Sequence, residues 1–192
     1  MSGKVIVAMT GASGVGYGVR LLMGLSDLVE GKPEILLITN EGARSMLARE
    51  ENVKPEDLND YTDRHIDASE MDTREASGSN HFDGMVICPC TISTASRIAC
   101  GIGDNLTTRL ASVALKERRR LILAVRETPL STPVLENLTK LSRDGVVIMP
   151  IAPPMYGEVK TVEDLQRNFA GRVMDLLGYD SDLTTRYEPE SQ

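Results

Sequence analysis

Five short apolar runs divide the chain; small or polar residues follow the first four, and a proline-rich loop follows the fifth. The runs cover residues 5–9, 35–38, 85–88, 121–125 and 146–149. Four or five consecutive apolar residues are typical of a strand that is buried on both faces, as in a parallel sheet. The pattern therefore predicts five such strands.

Between and after these runs, apolar residues recur at helical spacing. Helices are predicted over about 17–30, 41–51, 105–117, 131–142 and 162–177, and a further helix opens at 91–94. Residues 52–82 are polar with few apolar anchors, and we expect them to form an excursion of short elements rather than a core layer. Strands that alternate with helices indicate repeated βαβ units, and hence an α/β fold with one doubly wound parallel sheet covered on both faces. We expect one domain over 1–178, followed by a polar tail over 179–192.

Composition limits the classes of function. With 192 residues, 41% hydrophobic and 26% charged, the chain suits one globular domain with a sizeable core. A net charge of −7 argues against a nucleic-acid-binding surface. No apolar run approaches the length of a membrane span, and the first residues lack an export leader, so we expect a cytoplasmic protein without membrane contact.

The cysteines and histidines do not predict a metal or disulfide site. Cys88, Cys90 and Cys100 are too few for a disulfide framework, and the Cys-Pro-Cys spacing is shorter than that of usual metal or redox pairs. His65 and His81 both lie in the polar excursion. We interpret the cysteines as small buried residues and expect no metal.

A glycine-rich loop, residues 10–16, joins the first strand to the first helix. Backbone N–H groups at such a junction are well placed to meet a phosphate. Tyr17 follows Gly16, so the lysine of a nucleotide triphosphate loop is missing, and Thr39 stands where a dinucleotide site has an acidic residue. The loop favours a mononucleotide such as a flavin phosphate, although glycine-rich turns without a ligand are common.

Polar residues also follow the later strands. Arg126 and Glu127 come directly after the run 121–125, and a hydroxyl-rich segment, 91–94, follows the run 85–88. Taken singly, a strand-end ion pair and a helix cap are the more frequent explanations of such residues. Ligands of open α/β sheets, however, bind beyond the carboxyl ends of the strands, where all these residues are expected to meet.

Two cations on the 105–117 helix form a further candidate site. Arg109 and Lys116 are seven residues apart and therefore share a helix face, at one edge of the apolar stripe of Leu106, Leu110 and Val113. Such side chains can reach a neighbouring cleft or subunit, where they would suit an anionic substrate. Solvated surface charge remains an equal alternative.

These segments together resemble the UbiX-type flavin prenyltransferases, within the homo-oligomeric flavin-containing Cys decarboxylase-like superfamily. The resemblance covers residues 4–178 and is carried by MTGASGVGYGVRLL, ASGS, GMVICPCTIST, DNLTTRLASVALKERR, VRETPL and ENLTKLSRDGVVIMP. It implies a Rossmann-like three-layer α/β/α domain that binds reduced FMN. The activity it implies is transfer of a dimethylallyl group from dimethylallyl phosphate to flavin N5 and C6, without metal. The product, prenylated FMN, serves UbiD-type decarboxylases, and the family favours dodecamers.

The resemblance also implies roles for individual residues. The flavin would be held by Gly11, Ala12, Ser13, Thr39, Thr91, Ile92, Ser93, Thr94 and Arg126. The prenyl phosphate would be bound by Arg109, Lys116, Tyr156 and Arg172, in part across a subunit boundary. The catalytic residues would be Ser13, Glu50, Lys116 and Glu127, with Glu51 as an alternative to Glu50. Ser13 would assist proton movement near N5, and Glu127 or the departing phosphate would accept the proton from C6.

Two residues depart from the family pattern. Tyr187 stands where relatives often have tryptophan, and Gly157 where histidine is common, and these changes affect the shape of the prenyl pocket.

Two rival functions stay open. A cysteine-type decarboxylase on the same fold would carry a histidine in the early helix, and none is present there. A passive flavin carrier, or accessory subunit of a decarboxylase, would not need a second phosphate site.

Overall fold

The computed structural model describes residues 3–155, 159–184 and 186. A single parallel sheet lies at its centre. The strands are β1 Lys4–Met9, β2 Glu34–Thr39, β3 Arg64–Asp67, β4 Gly84–Cys90, β5 Arg120–Val125 and β6 Val147–Ile148. Their order across the sheet is β3-β2-β1-β4-β5-β6, and all neighbouring pairs are parallel.

Helices cover both faces of the sheet. They are α1 Val15–Ser26, α2 Glu41–Met46, α3 Ile92–Ala99, α4 Leu106–Lys116, α5 Thr132–Arg143 and α6 Val162–Leu177. A π-helical turn, Leu47–Glu51, continues α2, and two 3₁₀ segments, Pro55–Tyr61 and Arg74–Ala76, lie in the excursion. The expected three-layer, doubly wound α/β/α fold is confirmed.

The two faces of each central strand enter two separate apolar cores. In β1, Val5, Val7 and Met9 face the core that includes α1 and α6. Ile6 and Ala8 face the core that includes α3, α4 and α5. Because both faces are buried, the strands can be apolar at every position, which explains the uninterrupted runs in the sequence.

The excursion is where the predicted layout is wrong. Its residues 64–67 form β3, which extends the sheet at one edge by pairing with β2. Only Ile66 of this strand is buried, because an edge strand packs less of its surface than a central one. A strand with one buried apolar residue lacks the apolar run on which the prediction depended.

Several predicted boundaries also shift. Helix α1 begins at Val15 rather than Tyr17 and ends at Ser26 rather than Glu30, and β6 is confined to Val147–Ile148. Gly14, with φ 92°, occupies the N-cap in the left-handed region, where glycine is favoured, and so the helix starts two residues early. Helix α6 has the predicted bounds, because Thr161 and Asp164 form a capping box at its start and Gly178 ends it.

A buried carboxylate ties the excursion to the edge of the sheet. Glu75 is 1% exposed, and its Oε1 accepts hydrogen bonds from Arg64 Nη1 at 2.5 Å, Arg74 Nε at 2.8 Å and Lys4 Nζ at 3.4 Å. Burial by itself would raise the pKa of this carboxyl. The hydrogen bond from Arg74 and the charges of Arg64 and Lys4 outweigh burial and lower its pKa to about 2.

This low pKa predicts a loss of stability in acid. The stabilisation is present above the unfolded-state pKa of about 4.3 and is lost as the pH falls through the folded-state pKa of about 2. We expect Glu75→Gln to lower the free energy of unfolding by about 3 kcal/mol at pH 7, with a smaller loss at pH 3. Urea unfolding at both pH values measures this. The control is Glu30→Gln at an exposed position, and an equal effect of the two variants would contradict the prediction.

Candidate functional site

The candidate site lies at the carboxyl edge of the sheet, between β1 and β4. The chain leaves β1 towards α1 on one face and leaves β4 towards α3 on the other, so the connections diverge at this point. Such a switch point opens a crevice, and ligands of doubly wound sheets bind there. The glycine loop and segment 91–94 form its two sides.

Hydrogen bonds fix the two sides relative to each other. The buried Thr10 hydroxyl donates to the Pro89 carbonyl at 2.9 Å and accepts from the Thr91 N–H at 2.9 Å. The Arg126 N–H donates to the Cys90 carbonyl at 3.1 Å. The ends of β1, β4 and β5 are therefore joined, and the residues that follow them are held in one rigid arrangement.

The glycine loop makes a close backbone contact with the start of α2. A Cβ on Gly11 would lie 2.9 Å from the Gly42 Cα, so this approach requires glycine. Gly11 is exposed, Ser13 is half-buried and Ala12 is buried. The loop thus presents backbone and one hydroxyl to the crevice, which fits a phosphate-bearing cofactor.

The structure distinguishes the two adjacent glutamates of the π-helical turn. Glu50 Oε2 accepts hydrogen bonds from the Gly14 N–H at 2.7 Å and from the Val15 N–H at 3.2 Å. Glu51 instead accepts a bond from Gln166 Nε2 of α6 at 3.4 Å. Glu50 therefore contacts the glycine loop and caps α1, whereas Glu51 belongs to the contact between the π-helical turn and α6.

Segment 91–94 forms a helix cap on α3. Thr91 Oγ1 accepts from the Thr94 N–H at 3.2 Å and lies 2.9 Å from the Thr94 hydroxyl. Thr94 is buried, Thr91 and Ile92 are half-buried, and Ser93 is exposed. The Thr91 and Thr94 hydroxyls are therefore engaged in capping α3, whereas the Ser93 side chain is exposed and accessible to a ligand.

Arg126 and Glu127 do not form an ion pair with each other in the structure as described. Both side chains are exposed, and Glu127 Oε1 accepts a hydrogen bond from the Thr128 N–H at 3.0 Å. The strand-end ion pair considered from the sequence is therefore absent. Both groups remain available at the edge of the crevice.

Thr39, at the end of β2, is fully buried. Its Oγ1 lies 2.9 Å from Nε2 of His65 in β3, and a cavity of about 180 Å³ adjoins the pair. No sequence pattern connects His65 with this position, because it is the pairing of β3 with β2 that brings the two side chains together.

The cations proposed for a substrate phosphate are dispersed on the single chain. Arg109 Nε donates to the Ala76 carbonyl at 3.1 Å, Lys116 pairs with Glu117 at 2.5 Å, and Arg172 pairs with Asp175 at 2.7 Å. Lys116 ends α4 and lines a cleft of about 840 Å³ at the amino edge of β5, the opposite edge from the crevice. Tyr156 lies outside the described residues, as does Tyr187.

Two of the three cysteines are buried, as the sequence analysis predicts. Cys88 and Cys90 are buried, and burial raises the pKa of both thiols, that of Cys90 to about 12, so neither is a thiolate at neutral pH. Cys100 is exposed, so the prediction that all three cysteines are buried is wrong for this residue.

Within residues 3–155, 159–184 and 186, no group of three or more His, Cys, Asp or Glu side chains could hold a metal ion. In the same ranges no helix has the length and apolar character of a membrane span.

Comparisons with known proteins agree with this fold. The sequence profile of the flavoprotein family matches residues 2–174. A flavin prenyltransferase UbiX of Methanothermobacter thermautotrophicus is 43% identical over 183 residues, which cover 95% of this chain and 94% of the relative. The solved structure of AnUbiX in complex with FMN and dimethylallyl pyrophosphate has a TM-score of 0.95 and 34% identity, and covers 100% of both chains.

A second solved structure, a dodecameric FMN-dependent UbiX-like decarboxylase from Escherichia coli, has a TM-score of 0.93 and 35% identity. It covers 97% of this chain and 100% of the other.

A doubly wound sheet with a glycine-loop crevice at its switch point defines the class as a nucleotide-binding α/β protein. Within that class, the chain belongs to the flavoprotein family and, in it, to the UbiX-type flavin prenyltransferases.

Proposed function

We propose that this protein is a flavin prenyltransferase, which transfers a dimethylallyl group from dimethylallyl phosphate to N5 and C6 of reduced FMN. The observation that carries the proposal is the full-length match to AnUbiX, whose structure holds FMN and a dimethylallyl donor together. Around the crevice between β1 and β4, the glycine loop, the exposed Ser93 hydroxyl and the exposed side chain of Arg126 would bind a flavin phosphate and ring. When bound, reduced FMN supplies the nucleophilic ring atoms.

The residues proposed to hold FMN fall into two groups. Backbone and hydroxyl groups of the glycine loop and of the α3 start would bind polar parts of the cofactor, and the Arg126 guanidinium would bind an anionic part. They are Gly11, Ala12, Ser13, Thr39, Thr91, Ile92, Ser93, Thr94 and Arg126. The hydrogen bonds of Thr10 with Pro89 and Thr91, and of the Arg126 N–H with the Cys90 carbonyl, support this assignment, because they preorganise the three strand ends.

A phosphate leaving group needs cations where negative charge develops. Arg109, Lys116, Tyr156 and Arg172 are proposed for this task. Because Lys116 lies at the opposite edge of its own sheet, its contribution would go to the crevice of another copy. A dodecamer, as in the relative from Escherichia coli, would supply such contacts. Tyr179 and Leu183 pack against the core of their own chain, so any packing of the tail 179–192 on a neighbouring subunit would involve the residues that follow them.

Proton movements are assigned to the acidic and hydroxyl groups around the crevice. Glu127 is proposed to accept the proton lost from C6, and Ser13 to move a proton near N5. Glu50 is proposed to hold the glycine loop in place through its bonds to the Gly14 and Val15 N–H groups, and to act near the reacting centre. We also propose that the protein is cytoplasmic and that its product is delivered to a UbiD-type decarboxylase.

The proposal is tested by the mass of the flavin. Purified protein is incubated anaerobically with reduced FMN and either dimethylallyl monophosphate or diphosphate, and the flavin is extracted and weighed by mass spectrometry. We expect a product heavier by one prenyl group with at least one donor. An unchanged FMN mass with both donors would refute the transferase function and would leave the decarboxylase and carrier functions as alternatives.

A further inference from the structure

Two of the four residues proposed for the donor phosphate contact one loop, residues 76–80, which leads towards β4. The Arg109 Nε donates a hydrogen bond to the Ala76 carbonyl at 3.1 Å. A Cβ on Gly78 would lie 2.5 Å from Lys116 Nζ, so the lysine ammonium packs directly against the loop. Arg109 and Lys116 are seven residues apart on α4 and share one face of it. The 76–80 loop therefore runs along that face and contacts both cations.

Arg119 fixes the loop at two carbonyl groups. Its Nη1 donates to the Asn80 carbonyl at 2.9 Å, and its Nη2 donates to the Gly78 carbonyl at 2.7 Å. The planar guanidinium presents both donors in a rigid fork, which a lysine ammonium does not have. It also lies 4.5 Å from the centroid of the fully buried Phe82 ring, so the arginine is itself held against the core.

Within the described chain, the other hydrogen bonds of the loop stay inside it or go to the segment before it. The hydroxyls of Ser77 and Ser79 lie 2.9 Å apart, and the Asn80 N–H donates to the Ser77 carbonyl at 3.1 Å. The Asn80 side chain donates to the Arg74 carbonyl at 2.6 Å. Arg119 thus supplies two of the three described hydrogen bonds that join the loop to α4 and to the residues after it.

The position of the loop matters because a lysine side chain has little order of its own. Lys116 ends α4, its side chain is 54% exposed, and it pairs with the adjacent Glu117 at 2.5 Å. A flexible four-carbon stem can place the charge in many positions. Cations stabilise a developing phosphate charge most when they are in place before the reaction. Contact with Gly78 restricts the ammonium, so displacement of the loop would weaken this stabilisation.

We propose that Arg119 is a positioning residue for the donor phosphate: by holding the 76–80 loop, it fixes the Arg109 guanidinium and the Lys116 ammonium in place. This inference rests on the proposed function, which assigns Arg109 and Lys116 to the donor phosphate. Arg119 acts through the loop and does not itself touch the reacting atoms.

Steady-state kinetics of an Arg119→Met variant test the proposal. Methionine keeps an apolar stem but donates no hydrogen bond. With the donor that the wild type uses, dimethylallyl monophosphate or diphosphate, we expect kcat/KM for the donor to fall about tenfold, as for the loss of one oriented hydrogen bond. The Kd for FMN should stay within about twofold, because the loop precedes the amino end of β4 whereas the flavin crevice lies at the carboxyl edge.

A conservative variant and a matched control accompany this experiment. Arg119→Lys keeps the positive charge beside Phe82 but lacks the fork, and its kcat/KM should fall less, by about threefold. Arg143→Met removes an equal charge from an exposed position on the same cleft and should behave as the wild type. A loss in Arg143→Met equal to that in Arg119→Met would show that only the overall charge matters, and would overturn the proposal.

A Gly78→Ala variant displaces the lysine without any change at Arg119. The atoms nearest to the new Cβ are Lys116 Nζ and Glu117 Oε1, both at the ends of flexible side chains. The melting temperature should therefore stay within about 3 °C of the wild type, while kcat/KM for the donor falls about fivefold. This variant keeps the test valid if Arg119→Met fails to fold. A wild-type kcat/KM in Gly78→Ala would overturn the proposal.

Coupling separates a role through the two cations from a general structural role. In an Arg109→Ala/Lys116→Ala background, Arg119→Met should lower kcat/KM further by less than about twofold, because the groups that it positions are absent. An undiminished loss in that background would overturn the proposal. If the wild type yields no prenylated FMN with either donor, the proposed function fails and the positioning role with it. An active wild type with an unaffected Arg119→Met variant refutes the positioning role alone.

Discussion

Replacing Glu127 with glutamine is expected to slow the formation of prenylated FMN by about 100-fold or more, with the Kd for FMN within about threefold of the wild type. Positioned general bases typically contribute 10²–10⁴-fold to a rate, and an amide cannot accept the C6 proton. FMN binding should persist, because the Glu127 side chain is exposed and its hydrogen bond in the structure goes to the neighbouring Thr128 N–H. Single-turnover kinetics followed by flavin mass measure the rate.

The matched control for this experiment is the variant Glu136→Gln. Glu136 is an exposed glutamate on α5, so the variant removes the same charge without touching the crevice. We expect its rate to equal that of the wild type. If Glu127→Gln also turns over at the wild-type rate, Glu127 is not the base, and the departing phosphate becomes the acceptor of the proton.

A second large effect is expected at Gly18, in the first turn of α1. A Cβ at this position would lie 2.3 Å from the Cys88 carbonyl oxygen and 2.9 Å from Met9 Cε. The carbonyl belongs to the backbone of β4 and cannot move without disturbing the sheet. We expect Gly18→Ala to lower the free energy of unfolding by about 3 kcal/mol or more, although alanine in a free helix would be about 1 kcal/mol better than glycine.

Urea unfolding of Gly18→Ala and Gly103→Ala, monitored by circular dichroism, measures this effect. A Cβ on Gly103 would meet its nearest neighbour, the Arg109 Cα, at 3.6 Å, which is ordinary contact. That variant should stay within about 0.5 kcal/mol of the wild type. Equal unfolding midpoints for Gly18→Ala and the wild type would show that α1 can move away from β4, and that the crevice is less rigid than its hydrogen bonds indicate.

The fold could be predicted where the physical signal is local. The central strands are buried on both faces, so apolar runs such as 121–125 identify them without knowledge of their neighbours. The bounds of α6 follow from a threonine cap and a terminal glycine, both interactions within a few residues. The strand β3 has a single buried residue, and its existence depends on pairing with β2, which no local pattern reports.

The candidate site divides in the same way. The glycine loop and the Thr91 cap depend on residues that are close in sequence, so the order of residue types after each strand is enough to predict them. The choice between Glu50 and Glu51 depends on how the π-helical turn packs against the start of α1 and on α6, so the sequence left it open. Arg126 and Glu127 are adjacent in sequence, yet only the structure shows that they are not paired with each other.

Apolar runs and the residues that follow them predict the doubly wound α/β class and a crevice beyond the strand ends, and the resemblance of the motifs indicates the family. Tertiary structure alone decided the order of the strands, the joining of three strand ends through Thr10, and the meeting of His65 with Thr39. It also separated Lys116 from the crevice of its own chain. The physical reason is that apolar periodicity records whether a residue is buried, whereas the partner of a polar group is set by contacts between segments that are distant in sequence.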